Sequence, residues 1–247
     1  MSGTSRTPRV ALVTGASTGL GETLAGFLGD RGWRLVLTAR TEPDLTAVAK
    51  KVAGSGTDVL AIAGDVGDPA HRRRLADGAA SLGGLDWLVN NASQMGVSPI
   101  RPLLDHPDGV FEAVLRTNVV APLALAQLVA PLLRERRGLL VNLSSEAAVD
   151  VFPCAGIYGA SKAALDQASR IMAAETEDVG ITFVDPGGMR TRGYEQAEPG
   201  FDLSGVPGPE VTLPFWDWLL DRSASEVNGR RYLAQQAGWI TGPDTAP

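Results

Sequence analysis

The chain has 247 residues, of which 44% are hydrophobic, and a formal net charge of −6 at pH 7. This length fits one large α/β domain or two small ones, and the hydrophobic content supports a packed core, which excludes a disordered chain. The acidic balance argues against a nucleic-acid groove or a polybasic membrane patch, and a single cysteine excludes an internal disulfide and a cysteine-rich metal site. We see no apolar run of the length of a bilayer span or a signal peptide, so we expect a cytoplasmic protein with no membrane, nucleic-acid or metal partner.

Short apolar runs alternate along the chain with longer stretches at helical spacing. The predicted strands, bounded by Gly, Asp or Pro, are residues 9–14, 34–38, 57–63, 85–89, 138–143, 180–184 and 230–235. The predicted helices lie near residues 19–31, 42–54, 68–82, 107–136, 157–178 and 209–221, with Thr41, Asp68 and Asp108 as candidate N-caps. This alternation predicts an α/β chain with a doubly wound Rossmann fold, in which helices flank a seven-stranded parallel sheet on both faces. No repeat or linker divides residues 1–247, so we expect one domain, flexible over residues 1–8.

The segment 191–209 interrupts this alternation. It holds three prolines and four glycines, with Tyr194 and Phe201 among them. A loop longer than about 12–15 residues in a compact domain is usually functional or disordered. This one follows the carboxyl end of a predicted strand, where open α/β sheets bind ligands. We predict a substrate lid; a solvated connector is the alternative.

A glycine-rich turn follows the first predicted strand and opens the first predicted helix. Gly15 allows a tight turn, Gly19 allows the backbone to approach a pyrophosphate, and Gly21 allows close packing of helix and sheet. The helix N-terminus would offer free N–H groups and a positive dipole to phosphates. The spacing G-x-x-x-G-x-G differs from the common G-x-G-x-x-G, and a turn of this kind is also ordinary in a glycine-rich chain. The cofactor-binding residues predicted here are Gly15, Ser17, Thr18, Gly19, Leu20 and Gly21.

Arg40 follows the end of the second predicted strand, where a Rossmann site binds the adenosine ribose. An acid there would hold the ribose 2′-hydroxyl, whereas an arginine binds a 2′-phosphate, so the sequence predicts NADP(H) in preference to NAD(H). The alternative is a solvated surface arginine. Asp65 and Val66 end the third predicted strand, and Asp65 is placed to accept a hydrogen bond from the adenine amino group or to close a turn.

Tyr158 and Lys162 are four residues apart at the start of a predicted helix, a spacing that puts both side chains on one face. A nearby ammonium favours the phenolate, so we expect Lys162 to lower the pKa of Tyr158 from its usual value of about 10. Tyr158 can then exchange a proton with an alcohol or carbonyl oxygen. Ser145 ends the fifth predicted strand and can donate to the same oxygen, with Ser144 as the alternative. Asn118 lies inside a predicted helix, where a buried amide would carry an ordered water between Lys162 and solvent.

In their order and spacing these motifs resemble the short-chain dehydrogenase/reductase family, in its single-domain form, over about residues 8–236. The motifs that carry the resemblance are Thr14-Gly-x-x-x-Gly-x-Gly21, Asp65, Asn90-Asn91-Ala92, Asn118, Ser145, Tyr158-x-x-x-Lys162 and Pro186-Gly187-Gly188-Met189-Arg190-Thr191. The resemblance implies a Rossmann domain that binds NAD(P) and transfers a hydride at nicotinamide C4.

The resemblance also implies a role for each matching residue. Tyr158 would act as general acid or base, Ser145 would polarise the substrate, and Lys162 would hold the nicotinamide ribose and lower the tyrosine pKa. Asn118 would support a water relay. The cofactor-binding residues implied by the remaining motifs are Asn90 beside the adenosine ribose, Thr191 at the nicotinamide carboxamide or the phosphates, and Asn91, Ala92, Pro186, Gly187 and Met189.

Two positions depart from the family pattern. Ser93 stands where the family's Asn-Asn-Ala motif usually continues with Gly, so a side chain enters close to the cofactor. Thr18 stands where NADP-binding members often carry a basic residue, so the choice of cofactor depends on Arg40. The family's members pair through the helices predicted here at 107–136 and 157–178, which implies a homodimer or homotetramer.

The predicted function is therefore an NADP(H)-dependent oxidoreductase that acts on a ketone or secondary alcohol. The alternatives are a catalytically idle NADP(H)-binding redox sensor or scaffold, and a nucleotide-sugar epimerase, for which the chain leaves little room. Mostly apolar residues are candidates for the substrate pocket, which favours a neutral, apolar substrate. They are Met95, Val97, Val151, Phe152, Cys154, Met189, Tyr194 and Phe201, although Cys154 also suits a packed thiol.

Overall fold

The computed structural model describes residues 8–239 and is built around seven parallel strands. The strands are β1 (Val10–Thr14), β2 (Arg34–Thr38), β3 (Val59–Ala61), β4 (Trp87–Asn90), β5 (Leu139–Leu143), β6 (Gly180–Asp185) and β7 (Arg231–Leu233). They form one sheet in the order β3-β2-β1-β4-β5-β6-β7, with parallel pairing throughout. The predicted α/β fold with a seven-stranded parallel sheet is confirmed.

Helices cover both faces of this sheet. They are α1 (Gly19–Gly29), α2 (Glu42–Ala53), α3 (Pro69–Ser81), α4 (Val110–Leu115), α5 (Ala121–Arg136), α6 (Gly156–Glu175), α7 (Arg192–Ala197), α8 (Leu213–Leu220) and α9 (Ala224–Val227). Single 3-10 turns occupy Leu103–Asp105, Glu146–Ala148 and Pro209–Thr212.

Side chains of β1 alternate between two apolar cores. Ala11 and Val13 belong to the core shared with α1, α2 and α8, whereas Val10 and Leu12 belong to the core shared with α3, α5 and α6. Successive side chains of a strand point to opposite faces, so a strand buried on both faces must be apolar at every position. This explains the continuous apolar runs in the sequence.

The ends of several elements differ from the sequence prediction. Asp68 caps α3 as expected, its carboxylate accepting from the N–H of Ala70 at 2.9 Å. Thr41 precedes α2, but its side chain makes no capping bond. The prediction of Asp108 as an N-cap is wrong, because Gly109, in the left-handed conformation at φ 76°, precedes α4 instead.

The segment 191–209 is not the irregular loop that its composition suggested. Thr191 accepts a hydrogen bond from the N–H of Tyr194 at 3.3 Å and so caps α7. The main chain of Ile100 donates to Ala197 at 3.1 Å, and Arg190 donates to Pro207 at 2.8 Å. The first of these main-chain bonds joins the end of α7 to the loop at Ile100, and the second joins the beginning of the segment to its end.

The continuous helix Val110–Arg136 is long and apolar enough to cross a membrane by length and composition alone. A core helix of a doubly wound fold meets the same criterion, because one of its faces packs on the sheet and another is available for a partner helix. In this helix Val114, Leu125, Val129 and Leu133 are buried against the rest of the protein. The expected cytoplasmic location and the expected absence of a membrane partner stay predictions.

Candidate active site

The carboxyl ends of β1 and β4 lie side by side where the strand order of the sheet reverses, and the glycine-rich turn follows β1. Gly15 has φ 66° and Gly19 has φ 57°, a region that side chains disfavour. A Cβ atom on Gly21 would collide with the carbonyl of Gly15 and lie 2.6 Å from Nδ2 of Asn91. The turn therefore brings bare backbone and the N-terminus of α1 to the crevice, as a dinucleotide pyrophosphate requires.

The segment after β4 is tied to the glycine-rich turn by its own polar groups. The hydroxyl of Thr14 accepts from the N–H groups of Asn91 at 3.0 Å and Ala92 at 2.9 Å. The side-chain amide of Asn91 donates to the carbonyls of Thr14 at 2.8 Å and Gly15 at 3.1 Å. Asn91 thus contributes to the cofactor site by holding the glycine-rich turn in its conformation.

The side chain of Asn90 is engaged within the sheet. It is buried and donates to Oδ1 of Asn142 on β5 at 2.9 Å, so it points into the fold and not toward a ribose. The reason is that both asparagines are neighbours in the β4–β5 pairing, where an unpaired amide would be costly. A contact of Asn90 with the adenosine ribose would therefore have to use its main chain, and the predicted place of Asn90 beside that ribose stays a prediction.

Arg40 is exposed beyond the end of β2, next to the glycine-rich turn, where the N–H of Ala16 donates to the carbonyl of Thr38 at 3.0 Å. Asp65 is also exposed, and its Oδ1 accepts from the N–H of Gly67 at 2.8 Å. Oδ2 of Asp65 is not used in that bond, so the predicted turn role and the predicted adenine role are compatible. Val66 is buried beside it.

His71, on α3, lies beneath the same end of the site. Arg74 donates to its Nδ1 at 2.9 Å, and arginine can only donate, so the ring proton is on Nε2, 2.8 Å from the hydroxyl of Thr38. Burial, followed by Arg74, lowers the pKa of His71. A neutral His71 therefore supports the end of β2 just before Arg40.

Tyr158 and Lys162 lie in the first turns of α6, as the spacing predicts. Lys162 is only 2% exposed, and its ammonium donates to the carbonyl of Leu143 at the end of β5 at 2.6 Å. Its Nζ is 5.5 Å from the centre of the Tyr158 ring. The hydroxyl of Ser145 accepts from the N–H of Ala147 at 3.2 Å and acts to lower the pKa of Tyr158, whereas the hydroxyl of Ser144 donates to Asp166 at 2.8 Å. The hydroxyl of Ser144 is thus engaged by a buried carboxylate, and the role of Ser145 at the substrate oxygen stays a prediction.

Burial controls the ionisation of this pair. Burial raises the pKa of Tyr158 to about 12, although the hydroxyls of Ser145 and Ser93 act to lower it. Burial lowers the pKa of Lys162 to about 8, opposed by the carboxylates of Asp166 and Asp185. The expected lowering of the Tyr158 pKa is therefore wrong for the protein alone, because loss of hydration is the largest cause of the shift and exceeds the effect of the two serine hydroxyls.

Asn118 lies in a π turn, Arg116–Val120, between α4 and α5, and π turns occur often at functional sites. Its amide nitrogen donates to the carbonyl of Gln94 at 2.8 Å and to the hydroxyl of Ser161 at 2.9 Å. Its oxygen accepts from the N–H of Gln94 at 2.9 Å and from the hydroxyl of Ser93 at 3.3 Å. These four bonds saturate the side chain, so a water relay through Asn118 would have to use its main chain.

The loop after β6 closes the other side of the crevice. Oδ1 of Asp185 accepts from the N–H of Gly187 at 2.9 Å, and Gln235 donates to the carbonyls of Pro186 and Gly188, each at 2.9 Å. Thr191 comes so near the glycine-rich turn that a Cβ on Gly19 would lie 3.1 Å from its methyl group. The side chain of Met189 is buried against the apolar core, and its predicted places in the cofactor site and the substrate pocket stay predictions.

Apolar side chains surround the mouth of the crevice. Val151 is 94% exposed, Phe152 is exposed beside it, and Phe201 stacks on Tyr194 with ring centres 5.9 Å apart. Cys154 is partly exposed in the same segment, with φ 68°. Among residues 8–239 no group of three or more His, Cys, Asp or Glu is arranged to hold a metal ion.

Known proteins share this sequence and architecture. The sequence profile described as short chain dehydrogenase matches residues 9–200. The chain is 37% identical over 243 aligned positions to 11-beta-hydroxysteroid dehydrogenase A of Sesamum indicum, covering 93% of this chain and 68% of that protein. It is 32% identical over 247 aligned positions to the human protein Dehydrogenase/reductase SDR family member 2, mitochondrial, covering 94% and 86%. A short chain dehydrogenase from Shigella flexneri 2a, solved in complex with NADP, has a TM-score of 0.86 at 28% identity and covers 92% of this chain and 97% of its own.

The chain belongs to the short-chain dehydrogenase/reductase family. As a member it is an oxidoreductase that acts on carbonyl or alcohol groups with a nicotinamide cofactor.

Proposed function

We propose that the protein is an NADPH-dependent reductase of ketones, with oxidation of secondary alcohols as its reverse reaction at high pH. The phenol of Tyr158 carries this proposal, because the hydroxyl of Ser145 acts on its ionisation and the buried ammonium of Lys162 lies 5.5 Å from the centre of its ring. A phenol whose pKa is raised to about 12 holds its proton at neutral pH and is ready to give it to a carbonyl oxygen.

The residues around the crevice fit a nicotinamide dinucleotide. Gly15, Gly19 and Gly21 leave bare backbone at the N-terminus of α1, and the Thr18 side chain makes no capping bond that would occupy the first N–H groups. When bound, the cofactor supplies the hydride that is added to the carbonyl carbon.

Each side chain of the site then has one role in reduction. Ser145 donates to the carbonyl oxygen and orients it, Tyr158 transfers its hydroxyl proton to that oxygen, and Lys162 binds the nicotinamide ribose. Asn118 fixes the segment at Ser93 and Gln94 against α6, and supports a water path only through its main chain.

The preference for NADP(H) over NAD(H) is proposed on the position of Arg40. The guanidinium is exposed at the end of β2, where a 2′-phosphate would lie, and among residues 8–239 we find no hydrogen bond or ion pair that engages it. Solved relatives in complex with NADP and with NADPH support the same choice.

A neutral, apolar carbonyl compound is the proposed substrate. Val151, Phe152 and Phe201 offer apolar surface at the mouth, and the segment 191–209 that carries Phe201 is proposed to act as the lid. A relative of similar sequence is named as a hydroxysteroid dehydrogenase, a class whose substrates are large and apolar.

A homodimer or homotetramer is proposed from the outer face of the helix Val110–Arg136 and of α6. Phe111, Val120, Leu128 and Ile171 are large apolar side chains exposed on these helices. Pairing of two copies through them would remove this surface from water. Sedimentation velocity, which should give a mass of two or four chains, tests it.

The activity is tested with a panel of ketones and secondary alcohols of increasing size, followed by NADPH absorbance. Turnover of apolar ketones with NADPH, faster than with NADH, is the expected result. Tight binding of NADPH without turnover of any member of the panel would instead support the idle sensor or scaffold.

A further inference from the structure

A buried arginine joins the three elements that carry the candidate active site. Arg231, on the edge strand β7, is 9% exposed. Its Nε donates to Oδ2 of Asp166 at 3.3 Å, and its Nη2 donates to Oδ2 of Asp185 at 3.1 Å and to the main-chain carbonyl of Ser145 at 2.9 Å. The three acceptors belong to α6, to the end of β6 and to the segment after β5.

Each acceptor is next to a part of the site. Asp166 is one helical turn after Lys162 on α6 and also accepts from the hydroxyl of Ser144 at 2.8 Å. Asp185 also accepts from the N–H of Gly187, and so shapes the loop at the cofactor side. The third acceptor is the main chain of Ser145 itself. A guanidinium, which has five donors in a fixed plane, can hold all three at once.

The charges beneath the site are balanced through Arg231. Lys162, Arg170 and Arg231 are the cations near Asp166 and Asp185, and both carboxylates act to raise the pKa of Tyr158 and of Lys162. Burial raises the pKa of Asp166, whereas Ser144, Arg231 and Arg170 favour its ionised form. Removing only the arginine would leave two buried carboxylates facing Tyr158 with less compensation.

We propose that Arg231 is a positioning residue of the active site, which holds Ser145 at its place beside Tyr158 and compensates the carboxylates of Asp166 and Asp185. The proposal rests on the proposed function, since it concerns the same Ser145 and Tyr158. It assigns two separable tasks to one side chain, geometry and charge, and a different substitution tests each.

Arg231→Lys keeps the charge but cannot reproduce the three bonds of the planar guanidinium. We expect kcat for ketone reduction to fall between about 10-fold and 100-fold, as for a displaced catalytic group, with the dissociation constant of NADPH unchanged. The pH at which alcohol oxidation reaches half its maximum should stay at the parent value. Arg230→Met removes the adjacent exposed arginine of the same segment and is the matched control, expected to behave as the parent.

Arg231→Met removes charge and geometry together. The half-maximum of alcohol oxidation should move upward by about half a pH unit or more, because uncompensated carboxylates disfavour the phenolate. In the double variant Arg231→Met/Asp166→Asn one cation and one anion are both lost, so the half-maximum should return toward the parent value while kcat stays low. If Arg231 had only a structural role, the half-maximum of alcohol oxidation in the double variant would not move back toward the parent value.

The outcomes separate this inference from the proposed function. A parent protein without turnover of any carbonyl compound overturns the proposed function and this inference with it. An active parent whose Arg231→Lys variant keeps the parent kcat overturns only the positioning role. If circular dichroism shows that Arg231→Met does not fold, Arg231→Lys and the double variant still decide: parent-like kcat in either one overturns the inference, and reduced kcat with unchanged NADPH affinity supports it.

Discussion

The ammonium of Lys162 donates to the main-chain carbonyl of Leu143 at 2.6 Å, and not to the hydroxyl of the tyrosine four residues before it. The lysine is thereby fixed between α6 and the end of β5, with two further donors that can turn toward the crevice. The buried charge is maintained by this bond and by the carboxylates of Asp166 and Asp185.

Lys162→Met should weaken the binding of NADPH and remove its pH dependence. In the parent the pKa of Lys162 is lowered to about 8, so the binding-competent ammonium is complete below that pH and is lost above it. Affinity should therefore be constant up to about pH 8 and then fall, as measured by NADPH fluorescence titration. Lys50→Met, at an exposed lysine, is the control. The same pH dependence in Lys162→Met as in the parent would show that another group is responsible.

Tyr158→Phe should reduce kcat by about 10²–10⁴-fold, the usual contribution of a general acid, while NADPH still binds. The substitution deletes one hydroxyl and keeps the ring. Tyr232→Phe makes the same chemical change at a tyrosine buried in the core and should remain active. A Tyr158→Phe protein with parent-like turnover would refute the assignment.

Ser93→Gly restores the residue that the family usually has and should shift alcohol oxidation to higher pH. The hydroxyl of Ser93 favours the phenolate of Tyr158, so its loss raises a pKa that burial already raises to about 12. At a fixed pH below that value, less phenolate means slower oxidation, whereas ketone reduction at neutral pH should change little. Ser93→Ala separates loss of the hydroxyl from loosening of the backbone, and the two variants should agree. A profile unchanged in both would exclude a role for this hydroxyl.

Arg40→Asp should reverse the preference for NADP(H), because it replaces a phosphate-binding cation with a repelling carboxylate that can accept from a ribose hydroxyl. Fluorescence titration with both cofactors measures the ratio of dissociation constants. Arg134→Asp makes the same charge change on the exposed end of α5, which precedes the amino end of β5, and should leave the ratio unchanged. Equal affinities for both cofactors in the parent would contradict the proposal before any substitution is made.

Gly21→Ala and Gly26→Ala place the same methyl group at two positions of α1. At Gly21 the Cβ would collide with the carbonyl of Gly15, so both the free energy of unfolding and NADPH affinity should fall. At Gly26 no atom lies within 4 Å, so the variant should gain up to about 1 kcal/mol from helix propensity and bind NADPH normally. Urea unfolding with and without NADPH measures both. Equal free energies of unfolding and equal NADPH affinities in the two variants would mean that the carbonyl of Gly15 does not pack against Gly21.

Local spacing was enough to predict the parts of the site that lie within one element. The glycine-rich turn and the pair Tyr158 and Lys162 are set by a few consecutive residues of a strand–turn–helix and of a helix. The apolar runs predicted the strands of the sheet in the same way, because each strand is also formed by a few consecutive residues. The sequence does not predict helix α7, because its six residues, Arg192–Ala197, include a glycine and show no helical spacing of apolar residues. The N-cap of this helix, Thr191, is also a predicted cofactor ligand, so its capping role is not evident from the sequence.

Contacts between distant segments could not be predicted in this way. Arg231 is 65 residues from Asp166 and 86 from Ser145, and nothing in its own neighbourhood distinguishes it from the exposed Arg230. The bonds of Asn118 to Ser93 and Ser161 likewise join three separate segments. The direction of the Tyr158 pKa shift depends on how deeply the fold buries the hydroxyl, which the sequence does not contain.

The place of Arg231 in the chain also sets the order in which the site can be assembled during synthesis. Six strands of the sheet precede it, so Asp166 and Asp185 are synthesised before their guanidinium partner. Until β7 is added, Asp166 and Asp185 lie in the growing core without their guanidinium partner. A nascent chain that ends before β7 therefore has its glycine-rich turn but not a finished proton-transfer centre, and ribosome-bound intermediates of that length should bind nucleotide before they can turn over a carbonyl compound.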